Sequence, residues 1–270
     1  MKIQKYFLHA FSISVLFTLG NTILTLPFYV GGFWQLIISS VITFTVVLFI
    51  SRFMCTSLKN NIIYILVVFL LGTFSIFACF YDFINFLKTV GLPRTNIFLL
   101  VFALVFMVLF LSLSNSKAIY KYSLFVSVIV FSLFAVCFIA GIKNYDLKNI
   151  SVIFSAPRFS LNVFLNLTLP VVMLPIWIKQ NVNSLKPVFL GIITSYAFIL
   201  ICLCQVVFTL GYINAVNFPF LRAVGVISSS VLFTRLDGAI YFIFFVTTII
   251  KITVCIKAIQ TVIKNQLQNT

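Results

Sequence analysis

Residues 18–27, near the N-terminus, place one glycine, one asparagine, three threonines and a proline inside an otherwise apolar segment. Glycine costs about 1 kcal/mol against alanine within a helix, and asparagine and threonine side chains compete for backbone hydrogen bonds. In hydrocarbon, backbone groups released by a helix break must find partners, so irregular backbone survives only inside protein or beside a cavity. The stretch therefore indicates either close helix packing through small residues or a broken helix whose backbone binds a small molecule.

A second segment, residues 159–178, carries a similar set of interruptions. It contains Asn162, Asn166, Thr168, Pro170 and Pro175 within an apolar run. Transporters built from inverted repeats place interrupted helices at corresponding positions of their two halves, where free backbone N–H groups face an anion such as a carboxylate. Four less interrupted segments separate the two stretches here, which favours a binding site over simple packing.

Two charged residues lie inside apolar runs. Asp82, beside Tyr81 towards the end of the third apolar segment, is either an acid of a functional site or a headgroup-level partner of Lys88 or Arg94. Lys251 is the only cation well inside an apolar run, and its side chain either extends to the cytoplasmic headgroups or pairs within the bundle. Each position thus has a functional and a structural interpretation.

Residues that could act as acids, bases or metal ligands are scarce. The chain has three acidic residues and one histidine, His9, whose isolation indicates a structural role. Cys202 and Cys204 form the only close cysteine pair, but on a helix they point to different faces, and no histidine is near. Gln205 either lines a cavity or bonds between helices. No phosphate-binding loop, zinc-protease motif or nucleophile elbow occurs, so we expect no enzymatic activity, no metal site and no cofactor.

The composition is that of a membrane protein. Apolar residues make up 63% of the 270 residues and charged residues 8%, with a mean hydropathy of +1.23, whereas soluble domains carry roughly a quarter charged residues. The net charge of +15 comes from lysines and arginines that stand singly or in pairs between apolar runs. Loops that face anionic headgroups have this pattern, so we expect a lipid bilayer and not nucleic acid as the partner.

The apolar segments predict an all-α polytopic membrane protein with about eight spans of roughly 20 residues each. The expected spans are residues 8–30, 33–50, 62–87, 96–113, 119–142, 159–178, 187–212 and 239–259. Residues 214–234, with Pro219, Arg222 and Gly225, predict a short re-entrant or interfacial helix instead. The polar stretch 143–158 divides the single membrane domain, residues 1–270, into a first repeat at 8–142 and a second at 159–260.

The distribution of basic residues predicts that both termini are cytoplasmic. In that orientation the cytoplasmic side holds 10 basic residues, with Lys251 set aside as intramembrane, and the opposite side holds 7. The cytoplasmic set is Lys2, Lys5, Arg52, Lys59, Lys117, Lys121, Lys179, Lys186, Lys257 and Lys264, and the opposite set is Lys88, Arg94, Lys143, Lys148, Arg158, Arg222 and Arg235.

Three short motifs resemble the spore germination permeases, the B subunits of nutrient germinant receptors. They are Leu-Gly-Asn-Thr-Ile-Leu-Thr-Leu-Pro at residues 19–27, Leu-Pro-Arg-Thr at 92–95, and a late stretch from Phe-Pro-Phe-Leu at 218–221 through Phe-Thr-Arg-Leu-Asp at 233–237 to Phe244 and Phe245. The similarity is spread over most of the chain, although the family's usual acid before Arg-Leu is Thr234 here. The family belongs to the amino acid–polyamine–organocation transporter superfamily.

The resemblance implies a transporter-like bundle of two five-helix inverted repeats with broken first and sixth helices. A chain with about eight spans would lack the last two helices of the second repeat. The implied ligand contacts are Leu19, Gly20, Asn21, Thr22, Asn166, Thr168 and Pro170, with side-chain support from Tyr81 and Asp82. The implied partners are a germinant-receptor A-type membrane subunit and a C-type lipoprotein, and the implied location is the cell membrane, specifically the spore inner membrane.

These observations lead to one hypothesis and two alternatives. The leading hypothesis is a membrane subunit of a germinant receptor that senses a small nutrient, such as an amino acid, in a transporter-like site. The first alternative is a secondary transporter of amino acids or polyamines. The second is a degenerate scaffold subunit that binds no ligand.

Overall fold

The computed structural model describes residues 2–20, 22, 32–50, 62–88, 94, 96–149, 164, 167–178, 184–211, 219–228 and 236–267. Within these residues all regular secondary structure is helical, which confirms the predicted all-α class. The α-helices are α1 (Lys2–Leu19), α2 (Gly32–Phe49), α3 (Ile62–Phe86), α4 (Ile97–Leu113), α5 (Ser116–Gly141), α6 (Met173–Ile178), α7 (Lys186–Leu210), α8 (Pro219–Ser228) and α9 (Leu236–Leu267). Short 3₁₀ turns occur at Ile142–Asn144, Leu147–Asn149 and Pro170–Val172.

Several helix ends follow from residue type. Asn96 caps α4, because its side-chain oxygen accepts a hydrogen bond from the backbone N–H of Phe98 at 3.0 Å. Proline stands in the first turn of α7 and opens α8, where a helix needs no donor from it. Gly211 ends α7 with φ of 65° and ψ of −177°, a backbone conformation that essentially only glycine adopts.

Four described helices are long and apolar enough to cross a membrane, by length and composition: Tyr64–Phe86, Ser116–Asn144, Lys186–Leu210 and Ile240–Lys264. Three shorter apolar helices, Tyr6–Leu19, Phe33–Phe49 and Ile97–Leu113, coincide with the expected first, second and fourth spans. Of the expected sixth span, residues 164 and 167–178 are described. The stretch 214–234 contains the 10-residue α8, which is too short to span a bilayer.

Helices α1 and α9 form the centre of the bundle. α1 packs against α5, α7 and α9, and α9 also contacts α3, α4, α6 and α8. In an apolar 18-residue stretch of α9, 72% of the residues are buried inside the protein, whereas the corresponding stretches of α3 and α5 are 28% and 33% buried. The outer helices turn large apolar side chains to the surface, as a lipid-facing protein requires; Phe77, Phe98, Phe102, Phe110 and Leu113 are each at least 68% exposed.

Two glycines allow close approach between helices. A Cβ atom on Gly191 of α7 would lie 2.6 Å from Cβ of Ser14 on α1, and one on Gly72 of α3 would lie 2.6 Å from Cδ1 of Ile259 on α9. Ser195 of α7 lies at the same crossing: its hydroxyl donates to the carbonyl of Gly191 at 2.6 Å, and its Oγ is 3.3 Å from the carbonyl oxygen of Val15 on α1. Small residues at such crossings are the usual means by which membrane helices pack.

Candidate functional site

The first helix ends at the interruption that the sequence predicts. α1 ends at Leu19, and the backbone N–H of Gly20 still donates to the carbonyl of Leu16 at 2.9 Å. Leu19 and Thr22 are 1% and 5% exposed, so this helix end lies inside the protein. Because the last carbonyls of a helix lack intrahelical partners, the end of α1 carries a negative partial charge. Asn21 lies outside the described residues.

The hydroxyl groups of α1 bond to its own backbone. Ser14 donates to the carbonyl of Ala10 at 2.7 Å, Thr18 to that of Ser14 at 2.9 Å, and Thr22 to that of Thr18 at 2.9 Å. Such bonds satisfy a hydroxyl group that is buried in an apolar environment. The hydroxyl proton of Thr22 is thus committed to the protein, and what this stretch can offer a ligand is mainly backbone.

In its described residues, the second interruption is a tightened turn. Thr168 donates to the carbonyl of Phe164 at 2.8 Å, and Pro170–Val172 then form a 3₁₀ turn that leads directly into α6. Pro170 has no N–H and cannot continue the α-helical ladder, so the chain contracts to i→i+3 bonds at this point. The described part of the sixth segment is thus interrupted at residues 169–172, as the sequence predicts. Asn166 lies outside the described residues.

The elements that carry the two interruptions are in contact. The 3₁₀ turn and α6 both pack against α1, and the turn also touches α2 and α3. Thr168 and Pro170 are buried, as are Leu19 and Thr22. We call this region the α1–3₁₀ junction and define it by Leu19, Gly20, Thr22, Thr168 and Pro170. Leu19 thus lies on α1 and Pro170 on the 3₁₀ turn, two elements that pack against each other, and Gly20, Thr22 and Thr168 lie within three residues of them in sequence.

Tyr196 of α7 connects the second interruption to α2. Its side chain is buried, and its Oη donates to the carbonyl of Leu167 at 3.3 Å and lies 2.9 Å from Oγ1 of Thr43. A phenol has one proton, so Thr43 is the donor in the second bond. A backbone carbonyl beside the proline turn thereby gains a partner, as a low-dielectric interior demands.

Lys251 reaches the end of α1 from the middle of α9. Its side chain is 3% exposed and lies within the bundle, not at the headgroups. Its Cδ lies 3.2 Å from the position that a Cβ atom of Gly20 would occupy, and its Nζ is 5.8 Å from the centroid of the Phe17 ring. A positive charge thus lies close to the end of α1 that carries negative partial charge.

The two residues predicted on α3 have different positions. Tyr81 is 69% exposed, so the structure does not bring it to the junction and its predicted supporting role is corrected. Asp82 is half-buried. The inward face of α3 is formed instead by Phe83 and Phe86, whose rings lie 5.7 and 4.5 Å from that of Phe244 on α9. Residues two positions apart diverge by about 200° around a helix, so Tyr81 and Phe83 cannot both face inward.

Two further polar residues have structural surroundings. His9 is buried, with its ring 6.3 Å from that of Tyr120, and Tyr120 stacks at 5.1 Å on Trp177 of α6. Gln205 of α7 donates from Nε2 to the carbonyl of Cys137 on α5 at 3.1 Å, so it bonds between helices. In the part of the chain that the structure describes, no three His, Cys, Asp or Glu side chains gather in a cluster that could hold a metal ion.

A groove of about 400 Å³ lies between α2 and α7, and Tyr196 forms part of its wall. Its walls are mainly apolar and include Phe44, Ile193 and Leu200. The hydroxyl groups of Ser40 and Thr45 in this groove already donate to carbonyls of their own helix, at 2.7 and 2.9 Å. The groove therefore offers few polar groups to a small nutrient.

Tyr196 and its partner Thr43 are not among the site residues that the sequence predicts. Tyr196 is 4% exposed, and it stands in an apolar run. One signal was available, because a phenol in the middle of a span needs an internal hydrogen-bond partner. The identity of that partner, at Leu167, follows only from the tertiary fold.

Comparisons with known proteins add no family assignment. No protein-family model matches the chain, and neither a curated protein nor a solved structure matches it. The functional interpretation therefore rests on the described geometry and on the motifs in the sequence.

Proposed function

We propose that this chain is a membrane protein that senses a small nutrient, such as an amino acid, at the α1–3₁₀ junction. The observation that carries the proposal is the contact between α1, which ends at the first interruption, and the 3₁₀ turn that forms the second. Irregular backbone buried in a membrane protein supplies polar groups that ordinary spans keep bonded, and binding sites of transporters use them. The basic end group of Lys251 adds a charge to the same region.

The finer identity proposed is a B-type subunit of a spore germinant receptor in the spore inner membrane. The motifs at 19–27, 92–95 and 218–237 support it. In this proposal, residues 8–142 and 159–260 are the two inverted repeats, and an A-type membrane subunit and a C-type lipoprotein are the partners. The ligand would act by binding one conformation better than another, because a ligand shifts an equilibrium only through such differential affinity.

The proposal predicts that at least one amino acid stabilises the purified full-length protein. A ligand at 100 times its dissociation constant adds roughly 2.7 kcal/mol to the stability of the state that binds it. Thermal-unfolding titrations in detergent with the standard L-amino acids would detect this as a rise in melting temperature. The proposal fails if no amino acid of the panel raises the melting temperature of the protein, whether the protein is tested alone or together with the A-type and C-type subunits.

A matched pair of variants locates the site. A Cβ atom on Gly20 would lie 3.2 Å from both Cδ of Lys251 and the carbonyl oxygen of Phe17, so Gly20→Leu fills the end of α1. Gly225 of α8 has nothing within 4 Å of such an atom, so Gly225→Leu is the control. We expect Gly20→Leu to abolish the ligand-induced shift and Gly225→Leu to retain it. If the ligand raises the melting temperature of both variants equally, its binding site does not include the end of α1.

Flux and assembly separate the alternatives. Proteoliposomes that accumulate labelled amino acid under an ion gradient would indicate a secondary transporter, whereas a sensor binds without accumulation. If the chain is a scaffold that binds no ligand, the Gly20→Leu variant should retain the germination response. In that case the response would depend only on assembly of the chain with its partner subunits.

A further inference from the structure

The side chain of Lys251 lies inside the bundle, and none of the acidic side chains that the structure describes forms an ion pair with it. Lys251 stands in the middle of the 32-residue helix α9 and is 3% exposed. Among the residues that the structure describes, it forms no ion pair and no hydrogen bond, and its Nζ lies 5.8 Å from the centroid of the Phe17 ring. A cation–π contact at 5.8 Å offsets only part of the cost of burying an ammonium group.

The chain offers few acidic residues as counterions, and one of them, Asp82, is half-buried on α3, which packs against α9. The chain contains three acidic residues, Asp82, Asp146 and Asp237. Asp237 stands 14 positions before Lys251 on α9, about 21 Å along the helix axis, and Asp146 follows the end of α5. Buried charges in membrane proteins are normally paired, and those that lack a partner in the protein mark ligand or ion sites.

We propose that Lys251 binds the carboxylate of the nutrient, so that the ligand itself completes the ion pair. This inference rests on the proposed function, because it places the ligand at the α1–3₁₀ junction. The end of α1, with its negative partial charge, is suited to the ammonium group of the same ligand. An α-amino acid carries both groups on neighbouring carbons, so the site selects a zwitterion over a neutral or purely cationic molecule.

Gly20 has a specific part in this arrangement. The stem of Lys251 passes close to the position that a Cβ atom at residue 20 would occupy, with Cδ 3.2 Å from it. A side chain as large as leucine at position 20 would displace the stem and move the ammonium group away from the end of α1. The glycine at the helix end therefore allows the close approach of the lysine.

The test compares each L-amino acid with its C-terminal amide, which has nearly the same shape and no carboxylate charge. Binding is measured by calorimetric titration of the full chain in detergent. We expect the wild-type protein to bind the tightest amino acid of the panel about tenfold or more tightly than its amide, since hydrogen bonds to charged groups contribute about that much. Lys251→Met should lose this preference and bind acid and amide alike.

The control variant is Lys257→Met, which removes a half-buried lysine from the same helix. It should keep the preference for the acid. Ligand-free Lys251→Met should melt no lower than the wild-type protein, because the substitution removes a buried charge that lacks a partner. A lower melting temperature would indicate a structural ion pair and would overturn the inference.

The remaining outcomes are distinguishable. If wild-type protein binds an amino acid and its amide equally, or if Lys251→Met binds the acid as tightly as wild type, the inference is wrong and the proposed function stands. If wild-type protein binds no amino acid at all, the proposed function fails and the inference fails with it.

Discussion

A single hydroxyl group, that of Tyr196, joins three separate parts of the bundle. It lies on α7, contacts Thr43 on α2, and donates to the backbone of Leu167 beside the proline turn. The interior of a membrane protein offers no water for that carbonyl, so the tyrosine substitutes for the missing donor. Residues outside the predicted contact set thus hold the candidate site in its shape.

Tyr196→Phe should destabilise the protein by roughly 0.5–2 kcal/mol, the range measured for hydrogen bonds between membrane helices. The substitution keeps the ring and its packing but leaves the carbonyl of Leu167 and the hydroxyl of Thr43 without this partner. Thermal unfolding in detergent is the measurement. Tyr81→Phe, at a position 69% exposed, is the control and should have no effect; equal effects from both variants would contradict the assigned role.

The sequence identified Lys251 but left its environment open. The sequence pattern around a lysine in the middle of an apolar run is the same whether its side chain extends to the headgroups or lies within the bundle. The neighbours decide between the two, and here they are Gly20 and Phe17, more than 200 positions earlier in the chain. Tyr81 illustrates the opposite case, because the family resemblance implies a supporting role for it, whereas its side chain is 69% exposed.

At the scale of elements, the sequence predicted where both interruptions fall but not the form of the second. Pro170 removes one backbone donor, and that alone predicts a defect in the sixth segment. Whether the chain unwinds or tightens depends on which acceptors find other partners, and one such partner comes from Tyr196 on another helix. The 3₁₀ turn at Pro170–Val172 is therefore a tertiary outcome.

The α1–α7 interface depends on a glycine, and Gly191→Ala should destabilise it by about 1–3 kcal/mol, the usual effect of overpacking. The new Cβ atom would lie 2.6 Å from Cβ of Ser14 and 3.0 Å from the carbonyl oxygen of Phe11, so the backbone of α1 must move. The melting temperature in detergent reports the change. Gly225→Ala, which meets nothing within 4 Å, should leave it unchanged or raise it slightly.

At the scale of the whole molecule, composition was enough for the class of protein but not for the arrangement of its helices. The apolar runs correctly predicted a helical chain with segments that can cross a membrane. When a helix is apolar on all sides, its sequence does not show whether it lies at the centre or at the edge of the bundle. That α9 is central and α4 peripheral follows from interhelical contacts such as Gly72 with Ile259, which no local pattern encodes.

The orientation of the whole molecule can be tested from its loop charges. With both termini cytoplasmic, 10 basic residues face the cytoplasm and 7 face the opposite side, so the positive-inside rule favours that orientation by a small excess. We expect alkaline phosphatase fused after Tyr145 to be active and the same enzyme fused after Asn115, between α4 and α5, to be inactive. Fluorescent protein fused after Thr270 should fluoresce.

Because the excess is small, Lys117→Gln with Lys121→Gln should yield both orientations, and the two phosphatase fusions should then show intermediate activity. The opposite pattern in the unmodified chain, with activity after Asn115 alone, would show that the orientation is inverted.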